Sequence, residues 1–328
     1  MQWQERESMR DIRIGAAQFE ARDADKPYNL SRIDALTRRA VDAGAEIVSF
    51  HECCIPGYTF LQTLPRSRIA ELAEPVPDGP STNRLIEIAR EYNVAVLAGL
   101  VETERDALYN TYVAVGPDGY VAKHRKLHAF ISRFIDSGDA FTVFELCGCR
   151  MGILICYDNN LPENVRLTAM MGAEIIFMPH VTCGLPSAMP GRGVIDRALW
   201  ENRHRDPVSL RQEFNGPKGR GWLMRWLPAR AYENGVYAVY TNPIGVDHDT
   251  LKNGNAMILD PFGEILVESD ALADDVVVGL LTPDKIPVSS GYRYLRARRP
   301  DLYGELAEPL PPDMQGGTNP GWKLKEPE

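Results

Sequence analysis

A layered α/β fold is predicted for this 328-residue chain. Short apolar runs of strand type recur from IRIGAAQF near the start to VVVGLL near the end, segments with apolar residues at helical intervals stand between many of them, and tight-turn sequences join several neighbouring runs. Strands and helices that alternate in this way, with hairpins among them, build layers around a common core rather than separate all-α and all-β units.

Taken in order, IRIGAAQF reads as a strand and NLSRIDALTRRAVDAGA as a helix stopped by Gly44. EIVSF is a second strand, STNRLIEIAREYN a helix capped by Ser81 or Thr82, and VAVLAGLVE a third strand. NTYVAV and YVAKHRK flank GPDG and form a hairpin. MGILIC is a strand, PENVRLTAMMG a helix opened by Pro162 and closed by Gly172, and AEIIFMP a strand. VYAVYTN, NAMILD, EILVES and VVVGLL complete the strands, with DPFG as a tight turn.

No composition break divides the chain, so residues 1–303 are read as one domain and the Pro- and Gly-rich residues 304–328 as an extended arm. Residues 184–227 form a long insertion before the helix around ARAYENG. Between residues 192 and 230, nine Lys or Arg face four Asp or Glu, with Trp200, Trp222 and Trp226 interleaved. That composition occurs in single-strand nucleic-acid binders, but a lid over a crevice or a subunit contact is the expected role. GPKGRG within it follows no strand and is read as a loop rather than a phosphate cradle.

Bulk properties narrow the function. Hydrophobic residues make up 44% of the chain, enough for a large core, and the formal net charge of −9 disfavours nucleic acid and anionic membrane as partners. No apolar stretch reaches the ~18 residues of a membrane span, and MQWQERESMR lacks a signal-type apolar region, so a cytoplasmic location is expected. The six cysteines, with Cys53 and Cys54 adjacent and no C-x-x-C pair, fit reduced thiols rather than a disulfide framework.

Three chemically useful residues stand at the ends of apolar runs: Glu52 after EIVSFH, Lys126 in YVAKHRK and Cys156 after MGILI. Side chains at the carboxyl ends of strands converge on ligand crevices in layered α/β proteins. A thiol is mostly protonated at neutral pH and needs a base, which Glu52 supplies; Lys126 and the backbone N–H of Tyr157 are placed to receive an oxyanion. Taken singly, Cys156 would be a buried apolar thiol, Glu52 a solvated carboxylate and Lys126 a surface charge; only their combination argues for chemistry. Cys53 and Cys54 lack the strand-to-turn setting, and Cys147, Cys149 and Cys183 are read as structural. His124 and His128 are spaced i, i+4 but have no third ligand in frame, so no metal is expected.

HECCIPGY around Glu52, HRKLH around Lys126 and GILICYDNNLPENVRLTAMMGAEIIFMP around Cys156 closely resemble the nitrilase superfamily of carbon–nitrogen hydrolases, and ARAYENGVYAVYTNPIG, NGNAMILDPFGEIL and RRPDLY extend the likeness over nearly the whole chain. The resemblance implies an αββα sandwich, a Glu52–Lys126–Cys156 catalytic set, no metal or organic cofactor, and a homodimer or larger homo-oligomer. Tyr58 and His180 join Tyr157 as residues expected to bind the oxyanion or substrate. One departure stands out. Many members carry a second glutamate about seven residues before a glycine that corresponds to Gly138, and here that position is Ile131; either the loop aligns with a gap or Glu145 serves from elsewhere.

The activity implied is hydrolysis of a small amide or N-carbamoyl compound through a thioester on Cys156. A true nitrilase and a non-catalytic relative that binds a partner through its insertion are the alternatives. CYDNNLPE resembles the CYD-x-x-FPE word of the amidase-like branch, whereas nitrilases proper read CWE there, which favours amide or carbamoyl substrates.

Overall fold

The computed structural model describes residues 9–311. Along the chain come β1 (Ile12–Gln18), α1 (Lys26–Asp42), β2 (Ile47–Ser49), α2 (Arg66–Leu72), α3 (Pro80–Tyr92), β3 (Ala95–Glu104), β4 (Ala107–Gly116) and β5 (Gly119–Arg125). They are followed by β6 (Thr142–Leu146), β7 (Cys149–Ile153), α4 (Pro162–Met170), β8 (Ile175–Pro179), α5 (Arg197–Glu201), α6 (Pro207–Asn215), α7 (Arg220–Leu223) and α8 (Leu227–Asn234). The last elements are β9 (Tyr237–Thr241), β10 (Ile244–Asp247), β11 (Thr250–Asn253), β12 (Met257–Leu259), β13 (Ile265–Glu268), β14 (Asp275–Leu281), α9 (Lys285–Val288) and α10 (Ser290–Arg296).

Two six-stranded sheets result, ordered β14-β1-β2-β3-β4-β5 and β13-β12-β9-β8-β7-β6. In the first, β1, β2 and β3 are parallel and the outer strands antiparallel; in the second, β7, β8 and β9 are parallel and the outer strands antiparallel. The two halves thus share one plan, although the sequence shows no repeat.

Alternation along the strands sorts the core into three apolar strata. Ile12, Ile14, Leu97 and Tyr112 of the first sheet meet Met151, Ile153, Phe177 and Val239 of the second. The opposite face of the first sheet, with Val48, Val96 and Val113, packs against Ile33, Leu36 and Ala40 of α1 and Leu85 and Ile88 of α3. The opposite face of the second, with Ile176, Met178 and Ala238, packs against Val165 and Ala169 of α4 and Leu227 and Ala231 of α8. The order helix, sheet, sheet, helix is the αββα sandwich.

Several local expectations are corrected. α3 begins after Gly79, so Ser81 and Thr82 lie inside it; its first turn is satisfied by the Glu74 carboxylate, which accepts from Ser81 N at 2.7 Å and Ser81 Oγ at 2.8 Å. A carboxylate at a helix N-terminus also meets the positive end of the dipole. The insertion is largely helical: residues 184–227 hold α5, α6 and α7, with Ile195, Trp200, Leu210 and Phe214 forming a small core against Ile244 of β10 and Leu251 of β11. GPKGRG closes on itself, Gly219 N and Gly221 N both donating to Gly216 O, and leads into α7. Gly304–Ala307 of the arm make a 3-10 turn; residues 312–328 lie outside the described part.

Gly99 on β3 positions the future site. A Cβ there would run into the Cys53 backbone nitrogen and stand 2.9 Å from the Glu52 carbonyl carbon, so only glycine lets the Glu52–Cys53 turn lie on the strand. Gly99→Ala is expected to cost about 1–3 kcal/mol of stability, read as a lowered urea midpoint, and to reduce activity beyond what the unfolded fraction explains.

Candidate functional site

None of the three residues stands on a strand proper. Glu52 is three residues beyond β2, in a run of turns that follows Phe50, and Lys126 is the first residue after β5. Cys156 follows β7 by three residues and opens the 3-10 helix Cys156–Asn160 with φ +52. Left-handed φ costs a non-glycine residue about 1–2 kcal/mol, and such strain is held where surrounding structure over-determines it. Here the turn swings the thiol off the sheet. Cys156 is only 6% exposed, and Glu52 and Lys126 are buried.

The folded chain brings the three together. Glu52 Oε1 accepts from Lys126 Nζ at 2.6 Å and from Asn110 Nδ2 at 2.6 Å, and Oε2 accepts from Val181 N at 3.0 Å. Cys156 Sγ faces the same carboxylate and lies 3.9 Å from Val181 O. Lys126 Nζ also reaches Tyr58 Oη at 3.2 Å and stands 4.6 Å from the centre of the Phe130 ring. Lysine placement is secured at the backbone, since Lys126 N donates to Asn110 O and Gly138 N donates to Lys126 O, both at 2.8 Å.

Charge and burial compete in this pocket. Burial pushes the Cys156 thiol up to about 12, with Glu52 adding to the rise and Lys126 opposing it. The thiol is therefore protonated at neutral pH and becomes a nucleophile only when a base takes its proton. Burial alone would lower the Lys126 ammonium, but the Glu52 carboxylate reverses this and holds it well above the ordinary lysine range. Burial, joined by Glu52, raises the Tyr58 phenol well beyond its usual value. Tyr58 is accordingly a neutral hydroxyl.

Tyr157 occupies the first turn of the 3-10 helix, where N–H groups have no carbonyl partner within the helix. His180, one residue past β8, lies deeper. Its Nε2 meets Asn159 Nδ2 at 3.2 Å, its ring packs against Trp226 and Tyr240, and burial with the nearby Lys126 pulls it down to about 3, so it is neutral. Asn159 Nδ2 donates in turn to Leu154 O at 2.7 Å, bracing the cysteine turn. Glu145, by contrast, is exposed on β6 opposite Arg150 and takes no part. Ile131 packs with Tyr58, Val181 and Cys53 in an apolar cluster, so the position of the second glutamate is filled by hydrocarbon.

Asp158 was not anticipated from the sequence. Its carboxylate accepts from Leu127 N at 3.1 Å, His128 N at 2.9 Å and Ile155 N at 3.1 Å, tying the segment after Lys126 to the segment before Cys156. His128 Nδ1 lies 2.9 Å from it and His124 Nε2 3.7 Å, which accounts for both histidines of the i, i+4 pair. Its only sequence signal is an acidic residue two places after the cysteine. Burial would raise this carboxyl, but hydrogen bonding to His124 and His128 outweighs it and holds the group well below the usual carboxylate range.

Such a site, a buried carboxylate–ammonium pair facing a cysteine on a strained turn between the two sheets of an αββα sandwich, has the groups that nucleophilic thiol chemistry requires. Residues 13–287 match the model of the carbon–nitrogen hydrolase family, and the chain belongs to that family. It is 32% identical over 301 residues to an (R)-stereoselective amidase of a Pseudomonas species, covering 90% of this chain and 95% of the relative. It is 29% identical over 270 residues to a nitrilase of Pyrococcus abyssi, covering 81% and 88%. A mutant of Nesterenkonia AN1 amidase from the nitrilase superfamily has the same fold, with a TM-score of 0.67 at 22% identity, covering 93% of this chain and all of that one.

Because the Asp158 carboxyl is depressed in the folded state, the stability it contributes is present above the unfolded-state value near pH 4 and is lost as pH falls below it. Asp158→Asn is expected to be less stable than wild type by about 2–3 kcal/mol at pH 7. Urea unfolding at pH 7 and pH 3 should show the gap narrowing in acid; an equal gap at both would refute the assignment.

Proposed function

We propose that the protein hydrolyses a small amide or N-carbamoyl compound through a thioester on Cys156. The observation that carries this reading is the Glu52 carboxylate held at once by Lys126 Nζ and facing the Cys156 thiol. Glu52 takes the thiol proton as sulfur adds to the carbonyl carbon. The new oxyanion is met by the Lys126 ammonium and the Tyr157 N–H, donors fixed before the reaction begins. Glu52 then passes its proton to the departing nitrogen, the C–N bond breaks, and ammonia or an amine leaves the thioester. Water, activated by the same carboxylate, adds to the thioester carbon, and collapse of that adduct releases the carboxylic or carbamic acid and restores the thiol. Tyr58, hydrogen-bonded to Lys126, keeps the ammonium aimed at the reacting oxygen; His180 supports the cysteine turn through Asn159.

Amide or carbamoyl substrates are favoured over nitriles by CYDNNLPE after the nucleophile. The expected self-association would use the helical face of α4, α8 and α10, where Leu167, Tyr232 and Tyr294 are exposed. Among the described residues no helix is long and apolar enough to cross a membrane, and all six cysteines are free, which fits a reducing compartment such as the cytoplasm.

Cys156→Ala is expected to abolish ammonia release, and intact-mass spectrometry of wild type with a slow amide should show an acyl adduct that the variant lacks. Glu52→Gln and Lys126→Ala should each lower kcat by at least about a hundredfold with smaller changes in KM. Comparing kcat/KM for a nitrile and its matched amide decides the substrate class: a nitrile preferred more than about tenfold would overturn the amide reading.

A further inference from the structure

Cys53 directly follows the proposed base in sequence, and the hydrolytic cycle gives it no task. It is fully buried, takes φ +43 on the turn that Gly99 accommodates, and packs among Tyr58, Ile131 and Val181. Its Sγ lies 3.3 Å from Asn110 Oδ1 and 3.8 Å from Leu100 O, so the amide oxygen is the nearer acceptor for its one proton. Burial, joined by the Glu52 carboxylate, pushes this thiol well above its ordinary range, and it keeps that proton as a donor.

Asn110 therefore joins Cys53 to the ion pair. Its Nδ2 donates to Glu52 Oε1 at 2.6 Å, and its backbone carbonyl accepts from Lys126 N at 2.8 Å, so one buried residue of β4 holds both members. A primary amide carries donors on one side and an acceptor on the other, and half a turn about its last bond exchanges them. While Glu52 is ionised, the carboxylate itself selects the orientation, because a flipped amide would set oxygen against oxygen. Once Glu52 has taken the Cys156 proton, that selection is lost. A carboxylic acid can donate, and a flipped amide would accept its O–H and turn the proton away from the departing nitrogen. The Cys53 S–H bond does not depend on the charge of Glu52; a flip would replace it with an N–H facing sulfur, a weak acceptor.

We propose that Cys53 is a positioning residue for the base, its thiol fixing the Asn110 amide so that protonated Glu52 keeps its proton for the leaving nitrogen. The role rests on the reading of Glu52 as base to Cys156. It concerns one step, passage of the proton from the Glu52 carboxyl to nitrogen as the C–N bond breaks.

An amide needs that proton to expel its nitrogen, whereas p-nitrophenolate departs without one. Propionamide and p-nitrophenyl propionate give the same propionyl thioester. Ammonia release from the first, divided by the p-nitrophenol burst of the second on one preparation, isolates proton delivery, and any unfolded fraction cancels. Cys53→Ala should lower this ratio about five- to tenfold, the worth of one hydrogen bond, with KM for the amide little changed. Cys53→Ser, which keeps a donor, should recover most of the ratio, and Cys54→Ala, whose buried sulfur turns to Gly99 O at 3.7 Å, should leave it as in wild type. In an Asn110→Ala background, Cys53→Ala should add nothing, since the thiol acts through the amide. Infrared spectroscopy gives a readout free of turnover and of any Cys53→Ala misfolding: the S–H stretching band that Cys53→Ser removes should shift when Asn110→Ala deletes the acceptor.

An unshifted band, a wild-type ratio in Cys53→Ala, a loss that Cys53→Ser does not recover, or additive losses in the double variant each overturn the role. The reading beneath it fails differently. No ammonia from propionamide with wild type, a burst that survives Cys156→Ala, or undiminished ammonia release by Glu52→Gln removes the hydrolytic assignment, and the positioning role with it.

Discussion

The buried pair between Glu52 and Lys126 is the interaction around which the site is arranged. A carboxylate and an ammonium both out of water demand that nearly every lone pair and proton be satisfied. Glu52 meets that demand with donors from three places: Lys126 after β5, Asn110 on β4 and the Val181 backbone after β8. Two of those belong to the first sheet and one to the second. Thr241 Oγ1, at the end of β9, adds another link by donating to Phe50 O at 2.7 Å. Docking of the two sheets and assembly of the chemistry are therefore one event, and the cost of burying the pair falls on the same contacts that hold the sandwich closed.

Much of this was legible in the sequence because it follows from local pattern. Apolar runs at strand spacing gave the core strands of both sheets, and Glu52, Lys126 and Cys156 were visible as polar residues where those runs stop. What remained hidden depends on contacts distant in sequence. Glu74 serves as the cap of α3 from outside the helix, so nothing within STNRLIEIAREYN signals it. β10 and β11 are four-residue strands turning at His248 with φ +55, too short for periodicity to register. Asp158 reads as an ordinary turn residue until the backbone of Leu127 and His128 is brought against it from 30 residues away. The αββα order itself came from family resemblance, not from periodicity, which cannot say which sheet faces which.

Ile131 bears on how the hydrolytic cycle is organised. With Ile131 in an apolar cluster and Glu145 exposed on β6, Glu52 is the carboxylate that faces the Cys156 thiol. In the proposed cycle, proton removal from the thiol, delivery to nitrogen and activation of water all fall to that group. Its hydrogen bonds must hold it still while its protonation state changes at each step, and the rigid donors Asn110 and Val181 do so without changing charge themselves.

The left-handed turn at Cys156 has a further consequence. A side chain in that conformation pushes back against its own backbone, and the push is resisted by Asn159 gripping the Leu154 carbonyl and by Arg230 reaching the carbonyls of Asn159 and Asn160 at 2.9 and 2.8 Å. Glycine would rest there with less tension than cysteine does, so the fold as it stands is not the most relaxed one this backbone can adopt. Robustness and reactivity draw on the same dihedral angle. Selection for a hardier protein, if left unchecked by the proposed reaction, would begin by dismantling the residue to which that reaction is assigned.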